Sequence, residues 1–134
     1  MTLDHHAGAL SVDRLGPPDL LDVFGYLDRD PVLNVYLLAL TLRDGLGHPR
    51  DEFWAVRRDS EIVALLHLGA QSGAVLPVGE GPAALELLAE KAVARRRILP
   101  RRFQIIGPRD ASTALIERFK SVDVAPASSA VRST

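Results

Sequence analysis

The chain contains no cysteine and few aromatic residues, with one tryptophan and two tyrosines among 134 residues. The absence of cysteine excludes a disulfide framework, a thiolate nucleophile and zinc held by cysteine. No apolar segment is long enough to cross a bilayer, because the most apolar helical stretch, residues 32–42, is well short of the roughly 20 residues that a crossing needs. The formal net charge of -1 gives no overall attraction to nucleic acid or to an anionic membrane.

The residues that are present describe an ordinary globular domain. Hydrophobic residues make up 47% of the chain and charged residues 25%, and 134 residues are enough to bury a core in one domain. The amino terminus has neither a basic leader nor an apolar stretch, so we expect a cytoplasmic protein. His5 and His6 lie next to Asp4, but His48 and His67 add no paired ligand spacing, and no metal site is expected.

The first third of the chain predicts a strand followed by two helices. Alternating residues over 9–15 indicate an edge strand, which the Gly-Pro-Pro sequence at 16–18 ends. Apolar spacing over 20–27 predicts a short helix. Asp30 as a cap and Pro31 at the first position predict the start of a second helix, and its residues 32–42 are so apolar that we expect it to be buried on most sides.

The rest of the chain predicts more sheet and two further helices. Three antiparallel strands, a helix, a short strand and a last helix are expected over residues 53–56, 62–68, 74–78, 82–97, 103–106 and 110–119. Residues 120–134 have no sustained period and are expected to be a polar linker or a disordered tail. The predicted domain therefore covers residues 1–119.

This order of elements resembles the GNAT superfamily of acetyl-CoA-dependent N-acyltransferases. The resemblance implies an α/β (α+β) fold: a mixed, mainly antiparallel sheet flanked by helices, here lacking the final closing strands. At closer range, residues 28–37, 63–70 and 105–108 resemble the amino-terminal GNAT-like domain of bacterial two-domain GNAT proteins.

The resemblance also implies a place for a cofactor. Catalytic GNAT domains hold the pyrophosphate of CoA with a Q/R-x-x-G-x-G/A loop at a helix N-terminus, where backbone amides favour an anion. The matching residues here would bind acetyl-CoA through the loop between the third antiparallel strand and the long helix: Val78, Gly79, Gly81 and Ala83.

Three residues of that loop depart from the pattern. Leu76 stands where Gln or Arg is expected, Glu80 brings a negative charge to the phosphate position, and Pro82 removes an amide donor. A tight turn into a helix with proline at its first position therefore stands beside a pyrophosphate site as an interpretation of the glycine pair.

No catalytic residue is assigned. GNAT enzymes often carry a tyrosine on the last helix to protonate the CoA thiolate, and Phe119 occupies that region here. Tyr26 and Tyr36 fall on the early helices, where packing roles are expected. General-base candidates are Glu52, Glu61 and His67, and we expect His67 to be a hydrogen-bonded structural histidine.

Three hypotheses for function follow. The first is a non-catalytic or degenerate amino-terminal half of an acyltransferase, with a catalytic GNAT domain as its partner. The second is a stand-alone acetyl-CoA-dependent N-acetyltransferase that is completed by dimerisation with a second copy of itself. The third is a non-enzymatic interaction module that uses an unpaired strand edge or the arginines at 95–97 and 101–102. A helix end in solvent, favoured by the helix dipole, is the preferred interpretation of those arginines. Membrane and nucleic-acid partners are not expected.

Overall fold

The strands lie in one sheet in the order in which they occur along the chain. The computed structural model describes residues 9–122 and the backbone of residues 128–132. The strands are β1 Leu10–Arg14, β2 Glu52–Arg58, β3 Glu61–Leu68, β4 Ala74–Gly79, β5 Gln104–Pro108 and β6 Ser128–Arg132. The α-helices are α1 Leu20–Leu27, α2 Val35–Asp44, α3 Pro82–Ala94 and α4 Arg109–Ser121.

The connections determine the direction of each strand. β1 to β4 pair antiparallel, and the β2–β3 hairpin turns at Asp59, whose φ is 58°. β5 pairs in parallel with β4, and β6 in parallel with β5. The parallel pairs are possible because α3 and α4 each carry the chain back to the end of the sheet at which the preceding strand begins. Three antiparallel pairs and two parallel pairs make the sheet mixed and mainly antiparallel.

Helices cover both faces of the sheet. α3 and α4 pack over one face, where Phe103 and Phe119 are fully buried with ring centroids 4.9 Å apart. α1 and α2 pack over the other face, where Val23 and Leu27 meet Leu65 of β3. The predicted fold class and the predicted order of elements, from the first strand to the last helix, are thus confirmed.

The carboxyl-terminal segment differs from the prediction. Ser128–Arg132 pairs with β5 over five residues, so one strand follows α4 where a linker or disordered tail without closing strands was predicted. A strand that pairs through its backbone needs no hydrophobic alternation, which is why the pattern did not reveal it. α4 also extends to Ser121, two residues beyond the predicted boundary at 119. Residues 1–8, which include Asp4, His5 and His6, and residues 123–127, 133 and 134 lie outside the described residues.

The burial of α2 also differs from the prediction. Val32 in the turn before α2 and Leu42 near its end are 83% and 73% exposed, whereas Asn34 and Thr41 are buried. The amide of Asn34 donates to the Leu27 carbonyl oxygen at 3.0 Å and the hydroxyl of Thr41 donates to that of Leu37 at 2.9 Å. These polar groups can face the core because their hydrogen bonds are made there. The expectation that α2 is buried on most sides is wrong.

Candidate functional site

β4 and β5 pair only at their starts. The register joins Ala74 to Gln104 and Val75 to Ile105, and no later residue of β4 is in register with β5. The carbonyl of Gly73 accepts from the Gln104 amide at 2.7 Å, so the backbone of Gly73 faces β5. Every second residue of a strand directs its backbone groups to the same neighbour, so those of Val75 and Pro77 face β5 as well.

Pro77 explains why the ladder stops. It stands where the next amide would face β5, and proline has no N–H to donate. Gly107 of β5 lies against it, so closely that a Cβ at 107 would be 2.5 Å from the Pro77 carbonyl oxygen. The cleft along these two residues holds about 20 Å³. That volume accommodates about one water molecule.

A larger cavity of about 500 Å³ opens at the carboxyl ends of β4 and β5. Such edges of parallel strands are common ligand sites in α/β proteins. Its charged lining residues are three arginines and three carboxylates, so their formal charges cancel: Arg29, Arg58, Arg109, Asp30, Glu80 and Asp110.

The structure separates the four predicted cofactor residues. Val78 and Gly79 line the 500 Å³ cavity. Gly81 lines a different cavity of about 660 Å³ between α3 and α4, and the exposed Ala83 lines neither of the two. Glu80 stands between the two pairs, and the two cavities adjoin, since Arg109 and Asp110 line both.

Both glycines of the loop adopt conformations that other residues rarely take. Gly79 has a φ of 149°, and a Cβ there would be 2.5 Å from the Cβ of Ala64 on β3. Gly81 has a φ of 94° and precedes Pro82, the first residue of α3. A tight turn from β4 into α3 is sufficient to explain the glycine pair.

Tyr26 of α1 reaches the same cavity. Its hydroxyl donates to the Val63 carbonyl oxygen at 3.2 Å. Burial, reinforced by the negative charge of Glu80 and opposed by Arg29, raises the pKa of Tyr26 to about 12. The phenol is therefore protonated at neutral pH and cannot act there as a base.

His67 lies away from this cavity, next to a separate one of about 370 Å³. It is 2% exposed, its ring packs against Phe53, and its Nδ1 has no hydrogen-bond partner among the described residues. Burial lowers the pKa of His67 to about 4, although Asp51, 3.9 Å from Nε2, and Asp44 act in the opposite direction. The ring is neutral at pH 7. The predicted hydrogen bonding of His67 is therefore not found at Nδ1.

Glu52 is held by a network of donors. Arg95, which follows α3, donates two hydrogen bonds to its carboxylate, and the indole N–H of Trp54 donates a third at 2.8 Å. Arg14 of β1 approaches within 3.7 Å. Burial would raise the pKa of Glu52, but these donors and charges bring it below its usual value. The Glu52 carboxylate therefore has a structural role as an acceptor of these hydrogen bonds. Glu61 is exposed, 4.0 Å from Arg29.

Two arginines of the 95–97 and 101–102 cluster have internal contacts. Arg95 binds Glu52, and the Arg96 guanidinium lies 4.8 Å from the centre of the Phe103 ring. Arg96 also donates to the carbonyl oxygen of Leu99 at 3.3 Å. The exposed arginines of the cluster are Arg97, Arg101 and Arg102.

Two further findings concern metals and membranes. Within residues 9–122 and strand β6, no group of three or more His, Cys, Asp or Glu side chains could hold a metal ion. No helix in this part of the chain has the length and apolar character needed to span a bilayer.

Comparison with known proteins gives a distant structural likeness. No family model matches the chain, and no curated protein matches it. Among solved structures, the chain is similar to a ribosomal-protein-alanine N-acetyltransferase from Brucella melitensis biovar Abortus 2308. The TM-score is 0.38 and the sequence identity 16%, over 66% of this chain and 74% of the other. A likeness of this size does not assign a function.

Proposed function

We propose that this chain is a GNAT-related domain that does not transfer an acyl group by itself and serves as the amino-terminal half of a larger acyltransferase. The observation that carries the proposal is the contact between Pro77 and Gly107. A thioester between β4 and β5, two inner strands of the sheet, would need room beside them and a backbone donor for its carbonyl oxygen. Between Pro77 and Gly107 the cleft of about 20 Å³ is too small for a thioester, and Pro77 has no amide to donate.

The loop before α3 supports the same conclusion. A diphosphate is best held by several aligned amides in a positive field. Here Pro82 contributes no amide, the exposed Glu80 adds a negative charge, and the charges around the neighbouring cavity cancel. These features support the proposal that the chain does not hold acetyl-CoA in a position for transfer, and no chemical step is assigned to it.

The decisive experiment is a calorimetric titration of the chain with acetyl-CoA, together with an acetylation assay on a mixture of peptide and small amines. We expect no tight binding and no acetyl transfer. Gly81→Asp provides the matched comparison, because an added carboxylate at the start of α3 would abolish any diphosphate binding there. If wild-type protein binds acetyl-CoA tightly, acetylates an amine and loses both activities in Gly81→Asp, the proposal is refuted.

The partner proposed for this half is a catalytic GNAT domain in the same cytoplasmic enzyme. That domain would bind acetyl-CoA and carry the transfer chemistry. Co-expression of the chain with such a domain should give a stoichiometric complex in which acetylation depends on the catalytic domain alone.

A stand-alone N-acetyltransferase completed by dimerisation is the second candidate. The 500 Å³ cavity favours it, because it lies at the carboxyl ends of parallel strands and includes residues from the start of α4. This candidate requires acetyl-CoA binding by the isolated chain, so the same titration separates the two proposals. The non-enzymatic interaction module is a third alternative. If it uses the arginine cluster, the contact would be made by the exposed arginines Arg97, Arg101 and Arg102.

A further inference from the structure

Loops from three parts of the chain meet at one end of the sheet. In the pairing register, β2 starts beside the end of β3, and β3 ends beside the start of β4, which pairs with the start of β5. The segments that border these strand ends are residues 45–51, 69–73 and 95–103. They lie at the opposite end of β4 and β5 from the 500 Å³ cavity.

Exposed positive charge accumulates in these segments. We call their exposed arginines the basic end: Arg50, Arg97, Arg101 and Arg102. The three segments contain one acidic residue, Asp51, whose side chain is 17% exposed. The Asp51 carboxylate accepts the Ala70 amide at 3.1 Å, and a single carboxylate cannot neutralise the guanidinium groups of the basic end. The positive charge is local, since the whole chain has a net charge of -1.

The dipole of α3 accounts for only part of this charge. The helix ends at Ala94, and the attraction of a helix end for cations falls off within the last turn. Arg101 and Arg102 lie beyond that turn, and Arg50 belongs to the loop before β2. A helix end in solvent therefore explains the arginines next to α3 but not the basic end as a whole.

Contacts with its surroundings hold the loop that carries Arg101 and Arg102. The Arg96 guanidinium donates to the carbonyl oxygens of Leu99 and Arg101 at 3.3 and 3.4 Å. A Cβ at Gly73 would be 2.9 Å from the carbonyl oxygen of Arg102, so the turn over 69–73 touches this loop. Because the backbone is already fixed, a partner would have to order only the arginine side chains.

We propose that the basic end binds a carboxylate-rich segment of another protein. A guanidinium group forms paired hydrogen bonds with a carboxylate, so neighbouring arginines can bind successive acidic side chains. A nucleic acid fits less well, because the one aromatic residue of the three segments, Phe103, is fully buried and cannot stack on a base. The net charge of -1 also opposes a long polyanion.

This partner gives a specific chemistry to the third alternative for function. It adds Arg50, from a second loop, to the exposed arginines that follow α3. The proposal holds whether or not the chain transfers an acyl group, because the basic end and the 500 Å³ cavity lie at opposite ends of the same strands.

Fluorescence anisotropy with a labelled peptide of about ten glutamates, at about 50 mM salt, tests the proposal. We expect the wild-type chain to bind the peptide. A triple variant with Arg97→Ser, Arg101→Ser and Arg102→Ser should raise the dissociation constant at least about 10-fold, since each exposed ion pair contributes modestly and three are removed. Binding should weaken as salt is added, because the contacts are exposed to solvent.

The matched control removes the same charge from the other end of the sheet. Arg29, Arg58 and Arg109 are exposed and line the 500 Å³ cavity, and changing all three to Ser gives the same net charge as the first triple variant. This control should raise the dissociation constant by less than about 3-fold, because screening weakens charges at that distance. Circular dichroism of both triple variants verifies that they are folded.

Arg50→Ser tests whether the surface extends across both loops. This single change should raise the dissociation constant about 2- to 5-fold, as the loss of one exposed ion pair would. An unchanged dissociation constant would limit the surface to the loop after α3 and contradict the basic end as defined.

Three further results would overturn the proposal. The first is a wild-type chain that does not bind the glutamate peptide at low salt. The second is an equal loss of binding in the two triple variants, which would show attraction to the overall charge and not to this end of the sheet. The third is tighter binding of an oligonucleotide of the same length, or of vesicles containing an anionic lipid, which would assign the basic end to phosphate groups.

Discussion

Arg95, at the end of α3, donates two hydrogen bonds to the buried carboxylate of Glu52 on β2. This pair fastens the long helix to the antiparallel half of the sheet. Its partners are 43 residues apart in sequence, and Lys91 one turn earlier adds a contact 4.3 Å from the centre of the Trp54 ring.

Removing Arg95 should destabilise the fold. Arg95→Ala leaves the Glu52 carboxylate buried without its main partner, and we expect the free energy of unfolding to fall by about 2 kcal/mol. Arg97→Ala, two residues further along and exposed, should change it by less than about 0.5 kcal/mol. Urea unfolding at neutral pH measures both. Equal midpoints for the two variants would contradict a structural role for the Glu52–Arg95 pair.

His67 should make stability depend on pH. Its pKa is about 4 in the folded protein and near 6.5 when the chain is unfolded. Between these values only the unfolded state binds the proton, so the free energy of unfolding falls as pH decreases from 6.5 to 4, by on the order of 3 kcal/mol in total.

His67→Gln, which cannot gain this charge, should remove that part of the pH dependence, and His48→Gln should retain it. Urea midpoints across the same pH range report the difference between the variants and wild type. The lowered pKa of Glu52 adds a loss of stability at the acidic end, which all three proteins should share. A wild-type curve parallel to that of His67→Gln would show that the ring is not buried in its neutral form.

Gly107 should not tolerate a side chain. Gly107→Ala places a Cβ 2.5 Å from the Pro77 carbonyl oxygen, so β4 and β5 must move apart, and we expect a loss of about 2 kcal/mol in the free energy of unfolding. Gly25→Ala is the matched control, because nothing lies within 4 Å of a Cβ at that position in α1. The control should be about 0.5–1 kcal/mol more stable than wild type. Thermal unfolding of both variants tests the closeness of the two strands.

Tyr26 should ionise at a higher pH than a free tyrosine. Its pKa of about 12 means that the folded protein keeps this phenol protonated where a free tyrosine ionises, near 10. Stability is therefore lost as pH rises from 10 toward 12, because the unfolded state releases the proton first. An ultraviolet titration that follows tyrosinate formation should contain a step above pH 10, and Tyr26→Phe should remove this step. Identical titration curves for wild type and variant, apart from amplitude, would place the Tyr26 hydroxyl in solvent.

The order of the elements could be predicted because each signal was local. Proline and glycine marked the ends of elements, and apolar spacing distinguished helices from strands over most of residues 9–122. The orientation of α2 could not be obtained in this way. Apolar residues occur all round it, and the burial of Asn34 and Thr41 depends on hydrogen bonds that form only in the folded helix and its preceding turn.

The four residues predicted to bind a cofactor stay a prediction, and the structure shows where each of them lies. Val78 and Gly79 line a cavity as a cofactor loop would, but Gly81 and Ala83 do not share it, since the turn around Glu80 separates them. The Glu52–Arg95 pair had no sequence signal, because its two residues belong to distant elements. Pro77 did carry a signal: a proline inside a strand indicates that pairing on one side of that strand ends, here the side of β5.

The pairing of β6 with β5 has a practical consequence for anyone who expresses this domain. A gene truncated after Phe119, where the sequence pattern suggests the domain stops, would omit β6 and the last two residues of α4. The backbone groups of Gln104–Pro108 that pair with β6 would then have no partner strand. An exposed edge strand of this kind pairs with strands of neighbouring chains, so the shortened protein should aggregate more readily than the longer one.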